Sequence, residues 1–477
     1  MPKNLKQQFT KGILWSAIER FSAQGIQFIL GIILARILLP KDYGLIGMLT
    51  IFLAVSITFV DSGFAAALVQ KKDRDEKDYS TVFYFNILVA LVFYLALFFT
   101  APLIANFYNQ PLLVSLTRVI GLTVVVNSFA VVQRAKFTIN IDFKTQTKAS
   151  IFSTIISGTT GVYLAYKGYG VWSLVVQALI KSILNVTILW YYSKWLPLEG
   201  FHIDRFKRLF SFGSKLLVTG LINTVYNNIY LIIIGKVFSA DNLGFYTRAK
   251  QLSDFPSSNI TGILQSVTFP ILSKIQDDED RLKHTYKKII KMSALIIFPL
   301  MIALAALASP FIRFVLTEKW INIVWMLQLL CFAGMWYPIH ALNLNILAVK
   351  GRSDLCLRLE IIKKIIITIV LIITIPMGLE AMIIGQIVTS YISLIINTYY
   401  TKQIIDYGFL EQMSDLLKIL LLSFVMGYII YITIPHIETD ILKLIIGFLE
   451  GAIFYIVIAW YLNIGEIRTI PSFIKQK

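Results

Sequence analysis

Ser16, Arg20, Gln24, Gln27 and Gly31 recur at i, i+4, i+8, i+11 and i+15, a spacing that stacks residues along one face of an α-helix. The stretch at their centre, WSAIERFSAQG from Trp15 to Gly25, sits inside a segment otherwise soluble in lipid. An arginine near the middle of a bilayer costs about 2.5–3.5 kcal/mol on insertion scales, so these residues belong against a watery interior. The theme returns along the chain. Ser211, Lys215, Thr219, Asn223, Tyr226, Asn227 and Tyr230 mark one apolar run. Arg248, Lys250, Asp254, Ser257, Ser258, Thr261 and Gln265 mark another, and Thr58, Asp61 and Ser62 a third. A cationic passage selects anions, and the flat fork of arginine suits phosphate. The candidate binding residues are therefore Arg20, Lys215, Arg248 and Lys250, with Gln24, Gln27 and Asn227 as neutral partners for hydroxyl groups. Glu19, Asp61 and Asp254 are candidate proton or cation sites, or else they balance nearby cations. Glu19 lies one step round its helix from Arg20, so the two are poor partners. Arg36, Lys236 and Arg313 stand near helix ends, where snorkelling accounts for them as well as a cavity does.

Catalytic chemistry finds little support. The P-loop pattern GxxxxGK[ST] is missing, since Gly235 and Lys236 are followed by Val237, and GxSxG, HExxH and CxxC are missing too. The chain is not expected to be an enzyme, and no catalytic residue, metal or cofactor is assigned. Cys331 and Cys356 read as small buried hydrophobes, and His202, His284, His340 and His436 are scattered. Movement of a substrate would draw on an ion gradient, the membrane potential or substrate supply. A lipid-linked sugar carrying a pyrophosphate fits both the cations and the hydroxyl-binding side chains.

The elements that must position these residues are membrane helices. Of 477 residues, 57% are hydrophobic and only 15% charged, with a mean hydropathy of +0.72. Apolar runs near the roughly 20 residues that cross a bilayer recur throughout. We read fourteen spans, at about 12–39, 43–68, 80–106, 112–132, 149–166, 170–193, 209–237, 243–272, 289–316, 323–349, 357–376, 378–401, 415–434 and 441–462. The first lacks the cleavage site of a signal peptide and is expected to be retained. The formal net charge of +17 is an orientation signal, not a nucleic-acid footprint. With the N-terminus inside, about 31 of the 44 Lys and Arg residues fall in inner segments, about 6 in outer loops and about 7 within spans. Both termini are thus expected in the cytoplasm, and the basic surface is expected to attract anionic membrane lipids.

The sequence also resembles itself. ILGIILARILLPKDYGLIGM (Ile29–Met48) lines up without a gap against IYLIIIGKVFSADNLGFYTR (Ile229–Arg248), placing Arg36 on Lys236 and Gly44 on Gly244. Both segments run from inside to outside, the pattern of a parallel repeat about an axis along the membrane normal. The expected fold is all-α and polytopic, with about fourteen transmembrane helices. A six-helix lobe over 1–193 leads through a cytoplasmic surface linker at 194–208 to a second six-helix lobe over 209–401. Two extra helices and a cytoplasmic tail follow over 402–477.

LARILLPKDYGLIGM and FVDSGFAAALVQKKDRDEKDYSTVFYFN, with GFYTRAKQL later, resemble the polysaccharide flippase family, the Wzx-like branch of the MOP transporter superfamily. The similarity covers both halves and is densest over about 10–90 and 205–275. The resemblance implies a bacterial inner-membrane protein with two lobes around a central cavity. It implies alternating access that moves an undecaprenyl-pyrophosphate-linked oligosaccharide from the cytoplasmic to the periplasmic leaflet, for surface polysaccharide or lipopolysaccharide such as O-antigen. Cavity arginines would take the pyrophosphate, a role carried to Arg20 and Arg248 with Lys215 and Lys250 assisting. Polysaccharide polymerase or assembly proteins would be further partners. A multidrug exporter of the same superfamily would favour cationic substrates and a carboxylate lining, against the excess of cations here. A membrane polymerase or ligase would need a sizeable outer loop for its acceptor, and none is apparent.

Overall fold

Hydrocarbon offers no water to a backbone N–H or C=O, so a spanning segment closes its hydrogen bonds within itself as a helix. The computed structural model describes residues 24–61 and 63–462, and every regular element among them is helical. In chain order these are α1 (Gln24–Ile37), α2 (Pro40–Asp61), α3 (Phe64–Gln70), α4 (Glu76–Tyr108), α5 (Leu113–Ile120), α6 (Leu122–Ser128) and α7 (Val131–Ile139). Then come α8 (Phe143–Tyr166), α9 (Val171–Ser193), α10 (Ile203–Val237), α11 (Ala240–Lys274), α12 (Glu279–Ala306) and α13 (Ala308–Leu316). The rest are α14 (Val324–Gly334), α15 (Tyr337–Val349), α16 (Ser353–Thr374), α17 (Leu379–Ile405), α18 (Phe409–Thr433) and α19 (Asp440–Tyr461), with three short 3₁₀ turns between them.

Ten helical stretches among the described residues are long and apolar enough to cross a membrane, and all ten fall at expected span positions. The chain is a multi-span membrane protein of the all-α class. Helices also stand at the other four expected positions. Of these, α8, α11 and α16 carry too much polarity to qualify on composition, and α1 is described only from Gln24. The number fourteen is not reached on these grounds.

The chain falls into two compact units, Met1–Gly244 and Phe245–Lys477. In the first, α8 and α9 form an extensively packed hairpin, and α10 runs along α2. The stretch Leu113–Ile139 is not one helix but three, broken at Gly121 and at Phe129–Ala130. A capping box starts α4: the Asp75 side chain accepts from the Asp78 amide at 3.1 Å and the Asp75 amide donates back to Asp78 at 3.0 Å. In the second unit, Trp336 lies between Phe298 and Tyr391, with ring centroids 5.0 and 5.4 Å away. Asn343 Oδ1 accepts from Thr401 Oγ1 at 2.8 Å and Gln412 Nε2 at 3.0 Å, joining α15, α17 and α18 through side chains with no exposed surface. Such bonds between membrane helices contribute on average about 0.6 kcal/mol each.

The junction after α9 has more structure than a surface segment requires. Trp195 is buried with Phe64, Leu68, Val82, Phe83 and Leu209, and its indole Nε1 donates to Glu76 Oε1 at 2.7 Å. The Glu199 amide donates to Ser80 Oγ at 3.3 Å and the His202 amide to Thr81 Oγ1 at 3.2 Å. Lys136 stands over the rings of Tyr79 and Trp195, 4.8 and 5.3 Å from their centroids. Arg205 pairs with Asp75 at 2.8 Å. Burial nudges the Asp75 carboxyl upward, but hydrogen bonds from Asp78 and the cations Arg205 and Lys71 outweigh it and hold it below its usual value. A depressed carboxylate contributes stability above its unfolded-state value, and the contribution disappears as pH falls through the folded one. The junction therefore keeps this pair at neutral pH and loses it in acid. Removing a buried indole costs about 3–5 kcal/mol. Trp195→Ala is accordingly expected to raise trypsin cleavage after Lys194, Arg205 and Arg208 in inverted membrane vesicles, read by the appearance of two half-length fragments. Equal cleavage of the wild type would show that these contacts do not restrain the segment.

Candidate functional site

The first unit carries a polar, half-open chamber of about 420 Å³. Its walls come from helices whose polar residues recur one turn apart. Gln146 and Ser150 lie at i and i+4 on α8, and Lys181, Asn185 and Leu189 on successive turns of α9, beside Ser182. Asn127 and Arg134 sit on either side of the break between α6 and α7 and complete the lining. Lys181 is twelve residues from the end of α9 at Ser193, about 18 Å along the helix axis. The chamber therefore reaches from the α7–α8 end of the unit to mid-span depth.

Amide oxygens orient both cations. Arg134 Nη2 donates to Asn185 Oδ1 at 3.0 Å, and Lys181 Nζ donates to Gln27 Oε1 at 3.1 Å. Asn127 Nδ2 donates to Ser182 Oγ at 3.2 Å and Gln146 Nε2 to Thr138 Oγ1 at 3.4 Å. A carbonyl oxygen fixes the direction of an ammonium or guanidinium without cancelling its charge. Asp61, at the end of α2, lies within electrostatic reach of Arg134. The arrangement presents oriented donors and two positive charges to an open volume, the chemistry of a site for an anion bearing hydroxyl groups. Among the described residues, no group of three His, Cys, Asp or Glu side chains could hold a metal ion.

Of the residues singled out by sequence, Gln27 meets the chamber through Lys181 and Asp61 through Arg134, while Gln24 is an exposed residue at the described start of α1. Lys215 and Asn227 are exposed on α10, away from the chamber lining. In the second unit Arg248 is buried and donates through Nη1 to Gln251 Oε1 at 2.5 Å. Lys250 is bridged to Asp254 at 3.1 Å. Arg20 and Glu19 lie outside the described residues. The sequence reading did not single out Arg134, which counted among the inner-side cations, or Lys181, one cation inside a span. The signal was present in the paired spacings Gln146/Ser150 and Lys181/Asn185 on neighbouring spans.

The architecture matches a known class of membrane protein. A solved structure of the lipid II flippase MurJ in an inward closed conformation superposes with a TM-score of 0.76 and 19% identity, over 94% of this chain and 100% of that one. The fold is thus the all-α, multi-span fold of that protein. Residues 33–325 match the family described as polysaccharide biosynthesis protein, and the chain belongs to that family. It is 28% identical to the teichuronic acid biosynthesis protein TuaB of Bacillus subtilis (strain 168), over 74% of this chain and 73% of that protein. It is 25% identical to the lipopolysaccharide biosynthesis protein WzxC of Escherichia coli (strain K12), over 76% and 74%. The resemblance read from LARILLPKDYGLIGM and GFYTRAKQL is borne out by these matches.

Thiolate, the reactive form of cysteine, forms where water reaches. In a chain carrying Cys356→Ser, a Ser182→Cys thiol is expected to react with a charged methanethiosulfonate at least about tenfold faster than Ile155→Cys on the apolar outer face of α8. Equal, slow labelling of both would mean that the chamber is dry.

Proposed function

We propose that this protein is a flippase that carries an undecaprenyl-pyrophosphate-linked oligosaccharide from the cytoplasmic to the periplasmic leaflet of a bacterial inner membrane by alternating access, for surface polysaccharide or lipopolysaccharide assembly. The observation that carries the proposal is the chamber, where amides orient Arg134 near the α7–α8 end and Lys181 at a mid-span depth that lipid alone would penalise. Arginine and lysine bind a pyrophosphate by charge-assisted hydrogen bonds, and Asn127, Gln146 and Asn185 offer partners to sugar hydroxyls. Arg20, Lys215, Arg248 and Lys250 are further cations along the route, and Glu19, Asp61 and Asp254 candidates for coupling to an ion. The names of TuaB and WzxC, which place them in teichuronic acid and lipopolysaccharide biosynthesis, and that of MurJ as a lipid II flippase support the substrate class. The charge asymmetry of the loops supports cytoplasmic termini. An exporter of cationic drugs is disfavoured because, among the described residues, the charged side chains lining the chamber are cations.

A hydrogen bond to a charged group contributes about 1.5–3 kcal/mol, so losing one weakens binding by roughly tenfold or more. Arg134→Gln and Lys181→Met are expected to cut surface polysaccharide by at least that order and to leave single-unit lipid-linked sugar on the cytoplasmic leaflet, with Arg134→Lys intermediate. Normal polysaccharide in both charge-removing variants, at normal protein level, would remove the chamber from the transport route. Single-unit lipid-linked sugar on the periplasmic leaflet would instead indicate a polymerase.

A further inference from the structure

Two stretches of this chain repeat one another in structure as well as in sequence. The helix α1 ends at Ile37 and α2 begins at Pro40; α10 ends at Val237 and α11 begins at Ala240. Burial follows the same register. Leu34, Ala35, Pro40, Tyr43 and Gly44 are buried, as are their counterparts Ile234, Gly235, Ala240, Leu243 and Gly244.

Within the first compact unit the two helix starts touch. A Cβ placed on Gly44 would overlap the carbonyl oxygen of Ala240, whose carbonyl carbon would be 2.6 Å away. A Cβ placed on Gly244 would overlap the carbonyl oxygen of Pro40, whose carbonyl carbon would be 2.7 Å away. Each glycine thus meets the repeat equivalent of the residue that its counterpart meets. This is the reciprocity of a two-fold contact, here made inside one chain. Because backbone lies on both sides, no side chain can rotate to make room. The surroundings are closely packed: a Cβ on Gly235 would lie 3.1 Å from Met48, Leu243 and Tyr108 alike. Lys236 Nζ donates to the Phe107 carbonyl at 2.6 Å.

We propose that the Gly44–Gly244 crossing is a latch that shuts the α1–α2 end of the protein and parts once in every transport cycle. Residues without side chains let membrane helices approach to backbone contact. Dispersion between such surfaces is individually small, so the contact can form and separate repeatedly. A methyl group at either position is incompatible with the shut state and leaves any state with the turns apart unaffected. It therefore shifts the population towards the parted state by the whole cost of the overlap. The latch rests on the transport reading for the purpose of its opening, and the charge asymmetry puts this end at the periplasm. The contact itself is independent of any substrate.

The test uses full-length protein in nanodiscs, with Cys356→Ser and spin labels on Lys41→Cys and Asp241→Cys, equivalent exposed positions one residue beyond the touching carbonyls. The expected result is a short, narrow distance population that Gly44→Ala and Gly244→Ala each deplete. An unchanged distance distribution in both glycine variants overturns the latch. Should those variants not accumulate, a reducible cross-link between the two cysteines decides. It is expected to stop polysaccharide export until reductant is added, and uninterrupted export through fully cross-linked protein overturns the proposal. The two readings fail separately. If the glycine variants move the distance while Arg134→Gln and Lys181→Met leave polysaccharide intact, the latch stands and the chamber assignment falls. The opposite pattern removes the latch alone.

Discussion

A polar group inside a bilayer has no water to turn to, so it must meet another polar group or a wet cavity. Two polar clusters, one in each unit, meet this constraint in different ways. In the second unit Asn343, Thr401 and Gln412 satisfy one another with no surface left open, and their effect is to hold helices together. In the first unit Asn127, Arg134, Lys181 and Asn185 also bond to polar neighbours, but around an open volume. The same rule yields cohesion where the space is filled and a binding site where it is not.

The partners chosen for the cations matter as much as their depth. Lys250 is bridged to Asp254, and Lys287 and Lys291 both reach Asp415 at 2.8 and 2.9 Å. A carboxylate neutralises its partner, and an arriving anion would have to compete with it. Lys181 and Arg134 each have an amide oxygen among their partners, from Gln27 and Asn185. Two unit charges about 4 Å apart interact by about 4 kcal/mol at an effective dielectric of 20, and an amide-held cation keeps that field available to a ligand. The field of Asp61 on Arg134 moderates it. That moderation suits a transporter, because a site that binds too tightly does not release.

Much of the fold was legible because a bilayer imposes so simple a requirement. Length and apolarity placed spans where ten qualifying helical stretches stand, and the turn shared by Pro40–Gly44 and Ala240–Gly244 showed in the gapless alignment. The chamber was less legible for a physical reason. Periodicity gives the face of a helix, not which faces meet, and Lys181 becomes a candidate binding residue only beside Arg134 and Gln146 on other helices. The breaks in Leu113–Ile139 compounded this. Sequence counted Arg134 among the inner-side cations of a loop, whereas it lies on α7, just past the break at Phe129–Ala130, with an exposed side chain. The junction at Trp195 hid for a similar reason. A polar stretch holding Pro197 and Gly200 resembles a linker until its backbone amides are seen on Ser80 and Thr81.

Selectivity and closure use different physics at different ends of the first unit. Three crossings, by α2 with α3, by α4 and by α5–α7, separate the α1–α2 turn from the α7–α8 turn. The contact of Gly44 with Ala240 is thus made at the end opposite to Arg134 and Gln146. A seal built from charges would attract the same anionic cargo as the chamber and hold it at the exit. Backbone against backbone carries no net charge and offers no side-chain donor, so it shuts a passage without adding a binding site. Reciprocity adds economy, since one small-residue solution, present in both repeats, serves each side of the contact. The cations can then be tuned for a phosphate, and the glycines for close approach, without either change disturbing the other.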